Sequence, residues 1–577
     1  MTTRGRGALI ALVALVALLA PAAAFAHAYL TKTFPSASAI LDSPPPDVAL
    51  TYDEAVEPRF AIVLVSDKDG HSVTTGPPTR SPQNPDTLIV PLKPHLPEGW
   101  YLVYWRVISV DGHPVQSAFT FAVGPNPGPA PQFVAPHISG SATTPQLVAA
   151  KWFVFLTVMA SVGLLAIRLA VARPLVRRVA GTTLRSLTVA FGVASTLALV
   201  AVPVYLEEAT AIDSLHSFFD VGGLVPLWRT TAFGRGYVDL ELCLVLFVVA
   251  AWVAVWVDRP DREHRSVAEI LAGLGVAGAV AAVCVIPAAA GHAAQTAPRG
   301  VAVGLDWLHV LSGSLWFGGL IGLLILWASQ PVGKRVPALA VVVPRFSNMA
   351  LVSVLLLLGT GVGAAVLHLP ILSALWTTSY GTAILVKASL LAVAMLLGGV
   401  NQVRTRPRLV ASTTRPELGP GAASLLRVLV SAEVGVIIAI VLASAVLTSL
   451  APPSKFLAQE GKALVKVGPG RVAATAHQDG YTLKVLVDPN KAVAPNTFAL
   501  QITKNGRPVT GADVTVTFAM LDMEMGSQEY QLQERSPGVY SRLTPALVMV
   551  GHWGLSFAIA PKGGQPFTAI VVDHATG

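Results

Sequence analysis

Long apolar segments fill the middle of the chain and alternate with short polar ones. A helix rises about 1.5 Å per residue, so about 20 apolar residues are needed to cross the roughly 30 Å of bilayer hydrocarbon. Residues 145–450 contain eight stretches of this kind, and we therefore predict an eight-helix membrane domain. The predicted spans are residues 145–170, 186–206, 238–257, 267–290, 302–328, 348–369, 382–402 and 425–449.

The two ends of the chain alternate apolar and polar residues, a pattern that places every second side chain on one face of a strand. Residues 27–124 contain runs such as FAIVLVSD and WYLVYWRVISV, separated by Pro- and Gly-rich breaks. Residues 451–577 have the same character in YTLKVLVD and WGLSFAIAP. We predict a β-sandwich at each end. A Pro-rich linker, residues 125–144, joins the first sandwich to the membrane domain, residues 145–450.

Residues 1–26 have the pattern of a secretory signal peptide. Arg4 and Arg6 precede a short apolar run, residues 8–20, and the small residues of AFA at 24–26 suit cleavage. The run is too short to span a bilayer. Cleavage after this box would make His27 the new N-terminus, which brings a free α-amine and an imidazole together on one residue.

Composition and charge support a membrane protein with both ends exported. The chain is 53% hydrophobic and 12% charged, a balance that excludes an ordinary soluble protein. Its net charge of +8 comes from residues between the spans, so we expect no nucleic-acid partner. Loops after odd-numbered spans hold fourteen cations and loops after even-numbered spans hold three, which predicts that the odd-numbered loops are cytoplasmic. The fourteen are Arg173, Arg177, Arg178, Arg185, Arg259, Arg262, Arg265, Lys334, Arg335, Arg345, Arg404, Arg406, Arg408 and Arg415.

Two residues of the first β domain could join His27 around a metal ion. In VDGHPV, Asp111 and His113 are two positions apart, so on a strand both would point to the same face. With the amine and ring of His27 they supply three nitrogens and one oxygen, a set that suits Cu(II). Because Asp-Gly is common in turns, a purely structural turn is the alternative.

Residues 27–124 resemble CopC, a periplasmic copper-binding β-sandwich, through HAYLTKTFPSASAILDSPPPDVALTYDEAVEP and VISVDGHPVQSAFTFAVG. The resemblance implies that His27, Asp111 and His113 are Cu(II) ligands. Signal-peptide cleavage would then complete the site, because only cleavage frees the His27 amine. Some members of the family also carry a methionine-rich Cu(I) site. No methionine lies between residues 2 and 158, so we expect this domain to hold one Cu(II).

The membrane domain resembles CopD over all eight spans, through GHAA at 291–294, LDWLHVLSGSLWFGGL at 305–320, SYGTAILVKASLL at 379–391 and LLRVLVSAEVGV at 425–436. Ionisable residues within a span are costly and usually functional. We predict that His292 and His309 are metal ligands along a membrane path. Cu(I) is a soft ion that prefers sulfur ligands, so Cys243, Cys284 and Met159 are the next candidates.

Each of these membrane candidates has a simpler alternative role. His309 could make a buried hydrogen bond to another span. The two cysteines could be small packing residues. Lys387 cannot bind a metal while protonated, and we expect it to pair with an acidic residue. Glu433 lies in the inner half of the last span and could anchor a hydrogen-bond network or a proton path.

The C-terminal portion, residues 451–577, resembles the YtkA-like family through GRPVTGADVTVTFAMLDMEMGS and GVYSRLTPALVMVGHWGLSF. Met520 shares a strand face with Phe518, so we predict that it belongs to the core. Met523, Met525 and His552 would make a soft site for Cu(I). Buried filler is the alternative role for these methionines.

The three resemblances imply a copper-binding membrane transporter for acquisition and homeostasis, not an enzyme. Its expected partners are copper ions, the cytoplasmic membrane and extracytoplasmic copper chaperones. The chain has no Walker A, DKTG or CxxC motif, so we expect transport to use a copper gradient, protons or the membrane potential. The alternatives are a haem-binding membrane oxidoreductase with His309 and His368 as haem ligands, copper export, and a copper oxidase built on His27. Asp111 argues against the oxidase.

Overall fold

The computed structural model confirms the predicted fold class: a β-sheet domain, a helix bundle and a second β-sheet domain follow one another along the chain. The structure describes residues 30–36, 39–52, 55–108, 114–128, 144–214, 222, 224–230, 232–450, 452–453, 457, 463–492, 494–521, 527–547 and 550–576. The predicted signal peptide and five predicted ligands lie outside these residues: His27, Asp111, His113, Met523 and Met525.

The described strands of the N-terminal domain are β1 (Leu30–Phe34), β2 (Ile40–Leu41), β3 (Asp47–Tyr52), β4 (Ile62–Ser66), β5 (Thr79–Arg80), β6 (Thr87–Pro91), β7 (Gly99–Ile108) and β8 (Pro114–Val123). They form two four-stranded sheets, in the orders β1-β3-β6-β5 and β2-β8-β7-β4. The inner faces follow the predicted alternation, with Val48, Leu50 and Tyr52 of β3 buried. The Tyr52 ring packs edge to face against the ring of Trp105, which belongs to the other sheet, with 5.5 Å between the ring centroids. The core therefore lies between the sheets.

The C-terminal strands are β9 (Val465–Lys466), β10 (Val472–Gln478), β11 (Tyr481–Asp488), β12 (Asn496–Lys504), β13 (Arg507–Pro508), β14 (Asp513–Met520), β15 (Gln528–Ser536), β16 (Val539–Thr544), β17 (Gly551–Ala560) and β18 (Phe567–Ala575). Hydrogen bonds link them in the order β10-β11-β12-β16-β15-β14-β17-β18-β9, with β13 paired to β12. The rings of Phe498 on β12 and Phe518 on β14 pack with their centroids 4.6 Å apart, although β16 and β15 lie between these strands in the sheet. The sheet therefore folds back over one core. Met520 is buried in this core, as predicted.

The described part of the chain contains eight helices that are long and apolar enough to cross a membrane. They are α1 (Pro145–Ala166), α2 (Arg185–Ser214), α3 (Ala232–Val257), α4 (Val267–Ala290), α5 (Arg299–Ser329), α6 (Val332–His368), α7 (Ser379–Val400) and α8 (Gly419–Leu447). Shorter helices are Leu175–Arg178, Leu224–Thr230, Ala374–Thr377 and Arg406–Ala411, with 3-10 turns at Pro58–Phe60, His292–Gln295 and Pro416–Leu418 and π-helical turns at Ile167–Val171 and Asn401–Thr405.

Helix α6 begins well before the predicted start of span six at residue 348. Lys334, Arg335 and two prolines suggested an inner loop in this stretch, but the helix continues through both prolines, Pro337 and Pro344. The guanidinium of Arg345, the residue after Pro344, donates a hydrogen bond to the carbonyl of Val341 at 2.7 Å. The cations that we assigned to the loop after span five therefore belong to the first turns of α6.

Arg173 is also more than a loop cation. It is 7% exposed and contacts Asp258 and Glu269, each at 3.0 Å. Arg168 pairs with the other oxygen of Asp258. Glu269 in turn caps the start of α4 together with Ser266. These ion pairs fix the end of α1 to the α3–α4 connection, because a buried charge is tolerated only with partners.

Helices α1 and α5 are the most buried spans and cross at a pair of glycines. A Cβ on Gly163 would lie 2.6 Å from Gly318 Cα. Small residues allow such close backbone contact, which lets van der Waals packing hold helices together in lipid. Every other span packs around this central pair or its neighbours.

Both β domains lie at the same end of the bundle. Phe60 and Ile108 of the N-terminal domain pack against Leu206 near the end of α2. Leu521 and Val572 of the C-terminal domain pack against the segment after α6, which contributes Leu369, Ile371 and Ala374. The outer face of β7, with Trp100, Leu102 and Tyr104, meets Ala492 of the C-terminal domain. This contact explains why β7 is buried on both faces.

We expect Gly163→Ala to destabilise the bundle, because the new methyl group would overlap the α5 backbone. Overpacking of this kind costs about 1–3 kcal/mol. Thermal unfolding of the detergent-solubilised protein measures the effect as a lower Tm. The matched control is Gly359→Ala in α6, where a Cβ meets no atom within 4 Å. Equal melting temperatures for the two variants would contradict the close α1–α5 contact.

Candidate metal centre in the helix bundle

A cavity of about 430 Å³ opens in the bundle at the end that carries the β domains. Helices α1, α3, α5 and α7 begin at this end, and α2, α4, α6 and α8 finish there. Most of the cavity lining is apolar, which is typical of a site where a few polar groups determine what binds. Those polar groups are Lys151, Tyr205, Tyr237, Asp306, His309, Thr360, His368, Tyr380, Lys387, Thr448 and Ser449.

His309 of α5 is held by Thr360 of α6. The His309 Nδ1 atom lies 2.9 Å from the Thr360 hydroxyl, which itself donates to the Leu356 carbonyl at 2.6 Å. Because a hydroxyl has one proton, the Thr360 oxygen must accept from His309 Nδ1–H. In a neutral imidazole the lone pair is then on Nε2. A histidine that binds a metal has this same arrangement, with one nitrogen fixed by a hydrogen bond and the other free to coordinate.

Lys387 of α7 occupies the place where a metal ion would meet His309. Its Nζ atom lies 3.4 Å from His309 Nε2. Asp306, one helical turn before His309, lies within electrostatic range of Lys387. The structure shows an imidazole contact of Lys387 that the sequence did not predict, and the pairing of Lys387 with an acidic residue stays a prediction. An ion bound at Nε2 would displace the lysine and keep Asp306 as a counter-charge.

His368, at the end of α6, has both ring nitrogens engaged. Its Nδ1 lies 2.8 Å from the Ala364 carbonyl, and its Nε2 lies 3.2 Å from the Thr296 hydroxyl. The ring also stacks on Tyr380 at 6.3 Å. A haem iron at His368 would therefore have to break one of these two hydrogen bonds.

Lys151 is a second cavity cation, and the sequence analysis missed it. It is 8% exposed, and its Nζ lies 2.8 Å from Ser449 Oγ and 3.4 Å from the Thr448 carbonyl just beyond α8. It also lies 5.9 Å from the centroid of the Tyr205 ring. A lone lysine inside the first predicted span was the signal that could have identified it.

The remaining membrane candidates are placed as follows. His292 opens the 3-10 turn between α4 and α5, and its neighbours Gly291 and Ala293 line the cavity. Cys284 is 1% exposed, which fits the packing role. Within the described residues, the cavity lining includes neither cysteine nor Met159.

Glu433 anchors a hydrogen-bond network away from the cavity. Trp316 Nε1 donates to its carboxylate at 2.8 Å. This bond ties α8 to α5. This arrangement confirms the predicted hydrogen-bonding role.

The described histidines of the β domains lie at the surface. His71 is in an exposed loop, where Asp67 accepts hydrogen bonds from the His71 and Asp69 backbone amides, and their side chains come within 4.8 Å of one another. This is the geometry of a turn that satisfies its own backbone groups. His552 lies on β17, directly opposite His574 of β18.

Three family models match the chain, in the predicted order. A CopC domain matches residues 30–124, Copper resistance protein D matches residues 340–447, and a YtkA-like domain matches residues 475–558. The CopD match covers spans six to eight, which is shorter than the eight-span resemblance that we expected. The order itself is as the sequence analysis predicted.

Individual relatives extend the similarity over nearly the whole chain. The Copper transport protein CutJ of Bacillus subtilis (strain 168) is 26% identical over 537 residues, which is 92% of this chain and 93% of CutJ. Protein YobA of Escherichia coli (strain K12) is 35% identical over 123 residues, which is 21% of this chain and 99% of YobA. The crystal structure of CopC from Methylosinus trichosporium OB3b is matched over 98% of its chain and 18% of this one, at 30% identity and a TM-score of 0.16.

The fold and these similarities define a multi-pass membrane protein of the copper transport and resistance class. More particularly, the chain belongs to the family of CopC–CopD fusion proteins and ends in a YtkA-like domain.

We expect Thr360→Val to destabilise the protein, because it leaves the buried Nδ1–H of His309 without an acceptor. An unsatisfied buried donor costs about 1–3 kcal/mol. Thr360→Ser keeps the hydroxyl and is the matched control. Thermal unfolding in detergent should give a lower Tm for the Thr360→Val protein than for the Thr360→Ser protein. If both variants lower the Tm equally, the Thr360 hydroxyl is not the acceptor that fixes His309.

Proposed function

We propose that this protein captures copper outside the cell membrane and passes it inward through the helix bundle. The observation that carries the proposal is His309, whose Nδ1 is fixed by Thr360 and whose Nε2 faces the cavity beneath the β domains. Neutral imidazole nitrogen suits either oxidation state of copper. The similarity to CutJ, which is named a copper transport protein, supports the same conclusion.

The proposed orientation places both β domains outside the cytoplasm. The fourteen-to-three excess of cations on the odd-numbered connections supports it, as does the signal peptide predicted at residues 1–26. The location of both β domains at one end of the bundle agrees with this topology, because the two must then lie on the same side of the membrane.

Capture is assigned to His27, Asp111 and His113 of the CopC domain, with the mature N-terminal amine completing the Cu(II) site. The flanking described residues Ile108 and Pro114 pair with each other at the β7–β8 connection. Ile108 also packs on Leu206 of α2. Strand β7, which leads into the segment that carries Asp111 and His113, therefore contacts the bundle through Ile108, and this contact supports transfer from the CopC domain to the bundle.

Passage is assigned to His292 and His309, and a soft Cu(I) site in the C-terminal domain is assigned to Met523, Met525 and His552. The chain carries no ATP-hydrolysing motif, so a copper gradient, protons or the membrane potential drives transfer. Copper uptake by right-side-out vesicles tests the direction. Accumulation that His309→Ala reduces supports import, whereas accumulation only by inverted vesicles would replace import with export.

Extending the mature N-terminus by one residue should weaken Cu(II) binding at least a hundredfold, because the His27 amine would be lost as a ligand. His113→Ala should act similarly, since it removes one imidazole. Cu(II) titration of the full chain against a competing chelator measures the affinity. His95→Ala, which changes a loop histidine of the same domain, is the control. Unchanged affinity in the extended chain would remove His27 from the site.

Removing the amino group of Lys387 should strengthen copper binding at His309 about tenfold, because the lysine competes for Nε2. A charge-assisted contact is worth about 1.5–3 kcal/mol, and 1.4 kcal/mol corresponds to a factor of ten. The variant is Lys387→Gln in an N-terminally extended chain. Competition with a chromophoric chelator measures its affinity for Cu(I). Lys151→Gln is the control. It removes another cation from the same cavity, and that cation contacts Ser449 and not His309. Equal effects of the two changes would indicate general electrostatics and not competition for His309.

A further inference from the structure

Two histidines of the C-terminal domain lie face to face on neighbouring strands. Strands β17 and β18 are antiparallel, and their register pairs His552 directly with His574. The ring centroids are 4.5 Å apart and the planes differ by 31°. Side chains paired in this way are close enough to act together. Because metal–nitrogen bonds are about 2 Å long, small rotations about the side-chain bonds would bring one nitrogen of each ring to a single ion.

The pair lies on the outer face of the sheet and not in the core. The next residues along each strand, Trp553 and Asp573, are buried on the inner face. His552 is exposed and His574 is partly exposed, so the hydrophobic core does not require an imidazole at either position. Two protonated imidazoles directly opposite each other would repel, whereas a shared metal ion would hold both in the neutral form.

This face of the sheet contacts the segment that follows α6. Val572 is two residues before His574 and so shares its face, and it packs against Leu369 and Ile371 at the end of α6. Leu369 directly follows His368, which lines the cavity. The backbone amide of Leu521, another member of this contact, donates to the carbonyl of His552 at 2.8 Å. The two histidines therefore lie beside the contact between the C-terminal domain and the bundle.

The same edge of the domain also reaches the N-terminal β domain. Thr576, two residues after His574, accepts a hydrogen bond from Ala492 at 2.7 Å. Ala492 packs against Trp100 and Tyr104 of β7. The strands that carry the histidine pair thus belong to a domain that contacts both the N-terminal β domain and the segment after α6.

We propose that His552 and His574 form a two-imidazole transition-metal site at the mouth of the bundle. The choice of copper as its ion rests on the proposed function, whereas the pairing of the two rings does not. His574 is thus a further partner of His552, beside Met523 and Met525 of the proposed soft site. Two imidazoles suit Cu(II) and Cu(I) alike, so the site can accept copper from a nitrogen- and oxygen-rich donor and release it to another imidazole.

The test uses the full chain with the other proposed nitrogen sites removed by His113→Ala, His292→Ala, His309→Ala and one extra N-terminal residue. Cu(II) alone is titrated, and electron paramagnetic resonance reports the coordinated nitrogens. We expect one bound Cu(II) with two imidazole nitrogens. His574→Gln and His552→Gln should each remove one nitrogen and weaken binding at least tenfold, while both rings are exposed enough that the fold persists.

The matched control is His477→Gln. His477 is an exposed strand histidine of the same domain, and it contacts Thr482 of the neighbouring strand at 3.1 Å. This change should leave both spectrum and affinity unaltered. If His574→Gln leaves the spectrum unchanged, the pair is not the site. Copper uptake by vesicles is measured separately on the otherwise unmodified chain, so that a failure of transport would overturn the proposed function and leave the metal site standing.

Discussion

Buried polar groups in this protein need partners within the chain, because hydrocarbon offers no hydrogen bonds. The bundle meets this requirement at both ends in different ways. At the end with most cations, Arg168 and Arg173 share the carboxylate of Asp258. At the other end, His309 bonds to Thr360 and Lys151 bonds to Ser449. The first arrangement ties helices together, whereas the second orients groups towards a cavity.

That difference determines which end can handle an ion. A carboxylate shared by two guanidinium groups already has its charge compensated, so the Arg–Asp cluster attracts a further cation only weakly. In the cavity, by contrast, Thr360 uses only Nδ1 of His309, and the contact at Nε2 comes from the side chain of Lys387. The β domains lie at this end, so the proposed route from a soluble domain to the cavity does not cross the bundle.

The sequence predicted those features that depend on short-range pattern. Apolar length identified the eight spans, and strand alternation correctly placed Met520 in the core. The contact of Lys387 with His309 was not predictable, because depth along two helices does not give their rotation about their own axes. The pairing of His552 with His574 depends on the register between β17 and β18, which the connection between them sets. No local pattern encodes that register.

Charge balance explains how an imidazole within the bundle could receive a metal cation. An isolated charge is costly in a low-dielectric site, and a counter-charge lowers that cost. Asp306 lies one helical turn before His309 and lines the same cavity as Lys387. As a carboxylate it would supply the counter-charge for either cation. In the proposed function, lysine and metal would compete for the position at Nε2, so the cavity would keep a cation there between transfers.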